Sequence, residues 1–209
     1  TSPLLMSSHA LFDRTDAVLR GKWVRHTFLC QEPPAPPPTV AALPPPPSKL
    51  LTARQRFAQH AADPSCAACH VLMDPIGFAL ERYDTVGRFR TNELSPELER
   101  RGLYFESGLP IDPSGVLEDV TIDGKTGSFP FRDARELGAL LVRTEEAQSC
   151  FVQVALGDAL ARTGHPDDSC MRDELRAAFV ADGFDAVALF TKIAAAPAFA
   201  ARGAGEVKP

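Results

Sequence analysis

Apolar positions recur at helical spacing near both ends of the chain, and the middle breaks that rhythm. Over 17–29, Val18, Leu19, Trp23, Val24 and Phe28 form one stripe, with Lys22 and Arg25 off it. This predicts a helix of about three turns, capped by Asp16. Residues 1–16 show no period and predict an irregular segment. Residues 51–62 predict a second helix, with Thr52 as cap and Phe57 on the apolar face beside Leu50 or Leu51. A short amphipathic helix follows at 78–83. Residues 91–132 read as loop and short strand, with a turn at Pro110-Ile111-Asp112-Pro113-Ser114-Gly115 and a small β element around Val116, Leu117, Val120 and Ile122. From Asp133 the helical period returns in four stripes: Leu137, Leu140, Leu141; Phe151, Val154, Ala155, Ala159; Leu175, Phe179, Val180; and Phe184, Val187, Ala188, Ile193. Polar breaks at 164–168 and Asp182-Gly183 fit a small antiparallel bundle. The expected fold class is mainly α, with a short β/loop connector.

Two stretches interrupt this pattern for chemical reasons. Residues 33–47 hold nine prolines, which no helix or central strand survives. They predict an extended polyproline II tether; a ligand for an SH3-like domain is the other use of such a run. The second stretch is Cys66-Ala67-Ala68-Cys69-His70, the C-x-x-C-H signal for covalent attachment of a c-type haem. On one helical turn, residues three and four apart share a face. Two thiols there suit the two vinyl groups of one haem edge, and His70 becomes the proximal iron ligand. Zinc would want a second ligand pair at finger-like spacing, and none follows. A redox dithiol would want a βαβ setting, which the surroundings lack. Ser65 reads as the cap of the C-x-x-C-H helix and Pro75 as its end.

The remaining polar residues are weighed against that centre. Met73 is three residues from His70, on the same side of a bound ring, so the sixth iron position is closed to it. It is expected to pack against the porphyrin. The sixth-ligand candidates are His9, then Met6, then an open or water-bound site. A backbone carbonyl near Pro75 is expected to accept from His70 Nδ1–H. Arg88 and Arg90 are candidates for pairing with haem propionates, since guanidinium matches carboxylate as a fork; a solvated surface accounts for them equally. His26, His60 and His165 read as surface, capping or turn residues.

Composition changes the picture in three respects. The net charge is −5, with 10 Lys/Arg against 7 Asp/Glu over residues 1–90 and 12 against 20 over the rest. No basic stripe predicts a nucleic-acid partner. No stretch reaches the ~20 apolar residues of a membrane span. Thioether formation to haem takes place outside the cytoplasm, and three further cysteines fit an oxidising compartment, so the chain is expected to be exported. It starts at Thr1 with no leader in view, and reads as a mature or excised piece of a longer protein. Cys150 and Cys170 fall near the facing ends of consecutive helices, and a disulfide closing that hairpin is the first expectation, worth about 3 kcal/mol for so short a loop. Cys30 then remains to pair with either of them, to pair elsewhere, or to stay free.

Gly21-Lys22-Trp23-Val24, the proline run, Arg56 with His60, the C-x-x-C-H motif, Met73-Asp74-Pro75-Ile76-Gly77-Phe78-Ala79-Leu80-Glu81, Tyr83-Asp84 and Gly87-Arg88 together resemble the cytochrome-like modules of large exported planctomycete and myxobacterial proteins. The residues from Pro110 to Gly115 and the C-terminal helices resemble the small helical domain that follows that module. The resemblance implies a cytochrome c-like haem module over 1–92, a connector over 93–132 and a helical domain over 133–202. It also implies further domains upstream, and it brings no substrate or partner with it. The expected function is one-electron transfer through one haem c to an unidentified redox partner. A docking scaffold with a structural haem, or a haem-dependent oxidase or peroxidase subunit, are the rivals.

Overall fold

The computed structural model describes residues 2–11, 14–33, 51–60, 64–94, 106–162 and 168–200. Asp63, the proline-rich run except Pro33, and the expected break at 164–168 with His165, except Asp168, lie outside them, as does the side chain of His60.

Among the described residues the fold is mainly α, with two small antiparallel sheets. Its helices are α1 (Pro3–Ser8), α2 (Ala17–Leu29), α3 (Ala53–His60) and α4 (Pro64–Ala79), then α5 (Ala134–Arg143), α6 (Glu145–Leu160), α7 (Ser169–Ala181), α8 (Ala186–Ala195) and α9 (Pro197–Ala200). Between the two groups run β1 (Asn92–Leu94), β2 (Glu106–Pro110), β3 (Gly115–Ile122) and β4 (Lys125–Phe131), paired β1–β2 and β3–β4. Among the described residues no helix is long and apolar enough to cross a membrane.

α2 is the reference element. Asp16 caps it as expected, accepting from Leu19 N–H at 3.0 Å. α4 lies across it at a distance only glycine permits. A Cβ on Gly21 would sit 2.0 Å from the Met73 carbonyl oxygen, and one on Gly77 would sit 1.8 Å from that of Ala17. Each glycine therefore admits the partner helix's backbone, and the two contacts bracket the stretch 73–77.

The central core draws Met6 from α1, Val24 and Leu29 from α2, Ile76 and Ala79 from α4, Leu80 just after it, Leu117 and Val120 from β3, Phe131 from β4 and Leu137 from α5. The segment expected as a connector thus supplies core side chains. The β3–β4 hairpin turns on Asp123-Gly124, both at positive φ, the conformation that favours Asp-Gly in two-residue hairpins. α3 and α4 close a side cluster of Phe57, Ala53, Ala17 and Phe78. Thr52 caps α3 reciprocally: its Oγ1 accepts from Gln55 N–H at 3.2 Å, and Gln55 Oε1 accepts from Thr52 N–H at 3.0 Å. The C-terminal helices build a second core from Val152, Ala155, Leu156, Leu175, Phe179, Leu189 and Ile193.

Several expectations about the fold are corrected: the C-x-x-C-H helix begins at Pro64, so Ser65 does not cap it, and no separate helix spans 78–83, where α4 ends at Ala79. Residues 3–8, expected irregular, are helical, because Pro3 suits the first turn and Met6 finds a buried place. Pro75 does not end its helix: α4 runs through it to Ala79. The missing hydrogen bond is outweighed by burial of Met73, Ile76, Phe78 and Ala79 on either side. α2 does not bury its most apolar stripe, since Leu19 and Phe28 are 41% and 43% exposed while Arg20 and Arg25 are 0% and 1%. Finally, the disulfide joins Cys150 to Cys30, with Cα atoms 5.3 Å apart, and Cys170 stands outside it, exposed. The end of α2 lies against α6, so Cys30 reaches Cys150 in space although 120 residues separate them.

Candidate functional site

α4 carries the C-x-x-C-H motif in its first half. Pro64 opens the helix, where its missing N–H costs nothing. Cys66, Cys69 and His70 are all half-buried, and neither cysteine is in a disulfide. From Met73 onward the same helix is sunk in the core. The element is therefore divided along its length: a buried second half anchors it, and a half-buried first half carries two thiols and an imidazole at helical spacing. Val71, next to the histidine, leaves apolar surface in solvent at 49% exposure.

His70 is held from behind. Its Nδ1–H donates to the carboxylate of Asp74, with both oxygens at 2.9 Å. The pair is four residues apart on α4 and shielded, with side-chain exposures of 13% and 9%. This corrects the expected backbone carbonyl: an anionic side chain makes the contact instead. The signal was in the sequence as His70-x-x-x-Asp74, one helical turn. With Nδ1 engaged, Nε2 is the ring nitrogen an iron would take. The donor set is the one a covalent haem takes: two thiols at the spacing of its vinyl edge and an imidazole whose Nδ1 is engaged by Asp74.

The second-ligand candidates part company. His9 is half-buried, packs at a tilt against Trp23 with ring centroids 4.7 Å apart, and donates from Nδ1 to the Leu5 carbonyl at 2.9 Å. Nε2 is thus the nitrogen it would offer to iron. Met6 is 1% exposed and shares the apolar core with Val24, Ile76 and Leu80; packing accounts for it without iron. Met73 is buried, and its carbonyl abuts Gly21.

The two propionate candidates also differ. Arg90 is corrected. Its guanidinium is buried, donating to the Glu81 carbonyl at 2.8 Å, to Glu81 Oε2 at 3.2 Å and to Thr15 Oγ1 at 3.3 Å, and pairing with Glu93 at 3.5 Å. It is committed to a charged knot inside the fold. Arg88 is half-exposed and donates from Nε to Asp84 at 2.8 Å, in a turn whose backbone Asp84 also organises by accepting from Val86 and Arg88 N–H.

Two arginines that the hydrophobic pattern set aside hold α4 in place. Arg20 donates to the carbonyls of Leu80, Tyr83, Asp84 and Met6 at 2.8, 2.7, 3.0 and 3.1 Å, and reaches Glu81 at 3.4 Å. Arg25 donates to the Leu72 carbonyl at 2.7 Å, and to the Glu118 carbonyl of β3 and Gln31 Oε1, each at 2.5 Å. Burial pulls both guanidinium groups below their ordinary pKa, against the pull of nearby carboxylates. Burial likewise pushes the Glu93 carboxyl up, opposed by Arg90 and by the Ala53 N–H that it accepts at 2.7 Å. Among the described residues, no three His, Cys, Asp or Glu side chains converge to hold a bare metal ion.

This is a mainly helical protein built around one cysteine- and histidine-bearing helix. Residues 1–93 match the family described as "Protein of unknown function (DUF1588)", and residues 129–199 match that described as "Protein of unknown function (DUF1585)". No curated protein and no solved structure matches the chain.

Proposed function

We propose that the chain is an exported c-type cytochrome module, of the kind found in large multidomain proteins of planctomycetes and myxobacteria, that carries one haem c and passes single electrons. The observation that carries this reading is Cys66, Cys69 and His70 together on the first half of α4, with His70 Nδ1 hydrogen-bonded to Asp74. When bound, haem supplies a one-electron couple, and the chain sets its potential through the axial ligand, hydrogen bonds and burial. Cys66 and Cys69 would hold the porphyrin by thioether bonds, His70 would bind iron, and His9 is retained as sixth ligand. The Cys30–Cys150 disulfide supports an oxidising, extracytoplasmic setting. The partners proposed are further domains of the same longer protein and a redox protein that exchanges electrons with the haem.

The test is secretion of the chain in a host that matures c-type cytochromes. The expected product has the mass of the chain plus one haem, a pyridine haemochrome spectrum with both thioethers formed, and reversible one-electron reduction. Cys66→Ser with Cys69→Ser should abolish attachment. Recovery of the bare polypeptide mass, with both thiols open to alkylation, overturns the proposal.

A further inference from the structure

Asp74 is a buried carboxyl side chain set against Nδ1 of the proposed iron ligand. It is 6% exposed, and it places both carboxylate oxygens 2.9 Å from His70 Nδ1. Its backbone is held on both sides, because the Gly21 contact falls at Met73 and the Gly77 contact falls three residues beyond Asp74. The following residue is Pro75, and α4 continues through it. The carboxylate therefore meets the imidazole from a fixed helix, not from a loop that relaxes away.

We propose that Asp74 is a positioning residue that makes the His70 imidazole electron-rich and so holds the haem of this module toward the ferric state. This rests on the cytochrome reading above and deepens it. A hydrogen bond to a charged acceptor is shorter and roughly twice as strong as one between neutral groups. In a shielded site its effect on the ring is larger than in water. Partial transfer of the Nδ1 proton toward Asp74 leaves negative charge on the ring, and that charge stabilises Fe³⁺ over Fe²⁺. A backbone carbonyl acceptor in the same place would give a weaker bias. A carboxylate behind a ligating histidine also raises the ligand's basicity and fixes its tautomer.

The measurement is equilibrium redox titration of the purified haem protein, wild type beside Asp74→Asn and Asp74→Glu. Asparagine keeps an oxygen acceptor and loses the charge; glutamate keeps the charge. Asp74→Asn should shift the ferric–ferrous equilibrium at least about tenfold toward ferrous, which is about 59 mV upward for a one-electron couple. Asp74→Glu should recover part of that shift. An Asp74→Asn potential within about twofold in equilibrium constant of wild type overturns the proposal, and leaves Asp74 a structural residue of the helix. A second measurement needs no variant: in the reduced wild-type protein the His70 Nδ1 proton should resonate far downfield, as a proton shared with an anionic acceptor does. A shift typical of a neutral acceptor also overturns it. If the wild type carries no covalent haem, the cytochrome reading itself fails, and this inference falls with it. A haem-loaded wild type whose potential ignores Asp74 defeats the inference alone.

Discussion

Removing the Arg20 guanidinium tests the proposed anchoring of α4 most directly. A helix end leaves carbonyls without intrahelical partners. Past Ala79, where α4 stops, the Leu80, Tyr83 and Asp84 carbonyls are met by one arginine from the middle of α2, which also holds the Met6 carbonyl of α1. Hydrogen bonds to a charged group contribute roughly 1.5–3 kcal/mol each, so four would sum to more than a small domain's whole stability. Desolvation opposes them, and it is the largest influence on this guanidinium, outweighing Glu81. The net is set by what truncation leaves behind: the Tyr83 and Met6 carbonyls lose this donor, the Leu80 and Asp84 carbonyls keep only the N–H groups of Tyr83 and Gly87, and Glu81 keeps Arg90 and Thr15. Breaking a buried charged contact in this way costs about 3–5 kcal/mol, and the side-chain void adds to it. Arg20→Ala should therefore lose at least about 4 kcal/mol, a large part of the roughly 5–15 kcal/mol that ordinary domains possess. Arg20→Lys should recover only part of it, since an ammonium cannot fork across four carbonyls. The assay is urea denaturation followed by far-ultraviolet circular dichroism, with haem absorbance as a second probe where haem is attached. An Arg20→Ala protein within about 1 kcal/mol of wild type, the range of an unremarkable surface change, would refute the anchoring role.

Three further outcomes follow from the same contacts. Cys30→Ser with Cys150→Ser should lose about 5 kcal/mol by the chain-entropy relation, because the bridge closes a long loop, while Cys170→Ser should change nothing; denaturation together with non-reducing peptide mapping reads both. Gly77→Ala should cost at least about 3 kcal/mol, beyond ordinary overpacking, since its Cβ would lie 1.8 Å from a backbone oxygen; a thermal midpoint equal to wild type would show that the helices part easily. For Glu93, burial raises the folded pKa above the ordinary 4.5. Stability associated with its protonated form is then present below about 4.5 and lost as pH rises through the raised folded value. Glu93→Gln should remove that fall, giving a flatter stability profile between the two values, and an unchanged profile in the variant would refute it.

What local spacing determines was visible in the chain, and what depends on distant contacts was not. Asp16 and Thr52 act within three or four residues, and each caps its helix as its spacing implies, while Cys66, Cys69 and His70 share one helix. The bounds of α2 follow for the same reason. Its buried face does not, because a hydrophobic stripe ranks Leu19 and Phe28 above Arg20 and Arg25. An arginine is buried only where carbonyls wait for it, and those waiting here lie some 47 to 93 residues away along the chain, apart from that of Met6. The disulfide repeats the lesson: Cys170 is nearer to Cys150 in sequence, yet the packing of α2 on α6 makes Cys30 the partner. Pro75 shows a local rule losing to burial on both sides of it. Asp74 stands between the two cases. Its spacing from His70 is a single helical turn and was legible, but its effect needs the helix to persist past the proline and the carboxylate to be shut away from water. Burial of Met73, Ile76, Phe78 and Ala79 carries the helix past the proline, and Gly21 and Gly77 let the backbones of α2 and α4 close on each other on either side of Asp74.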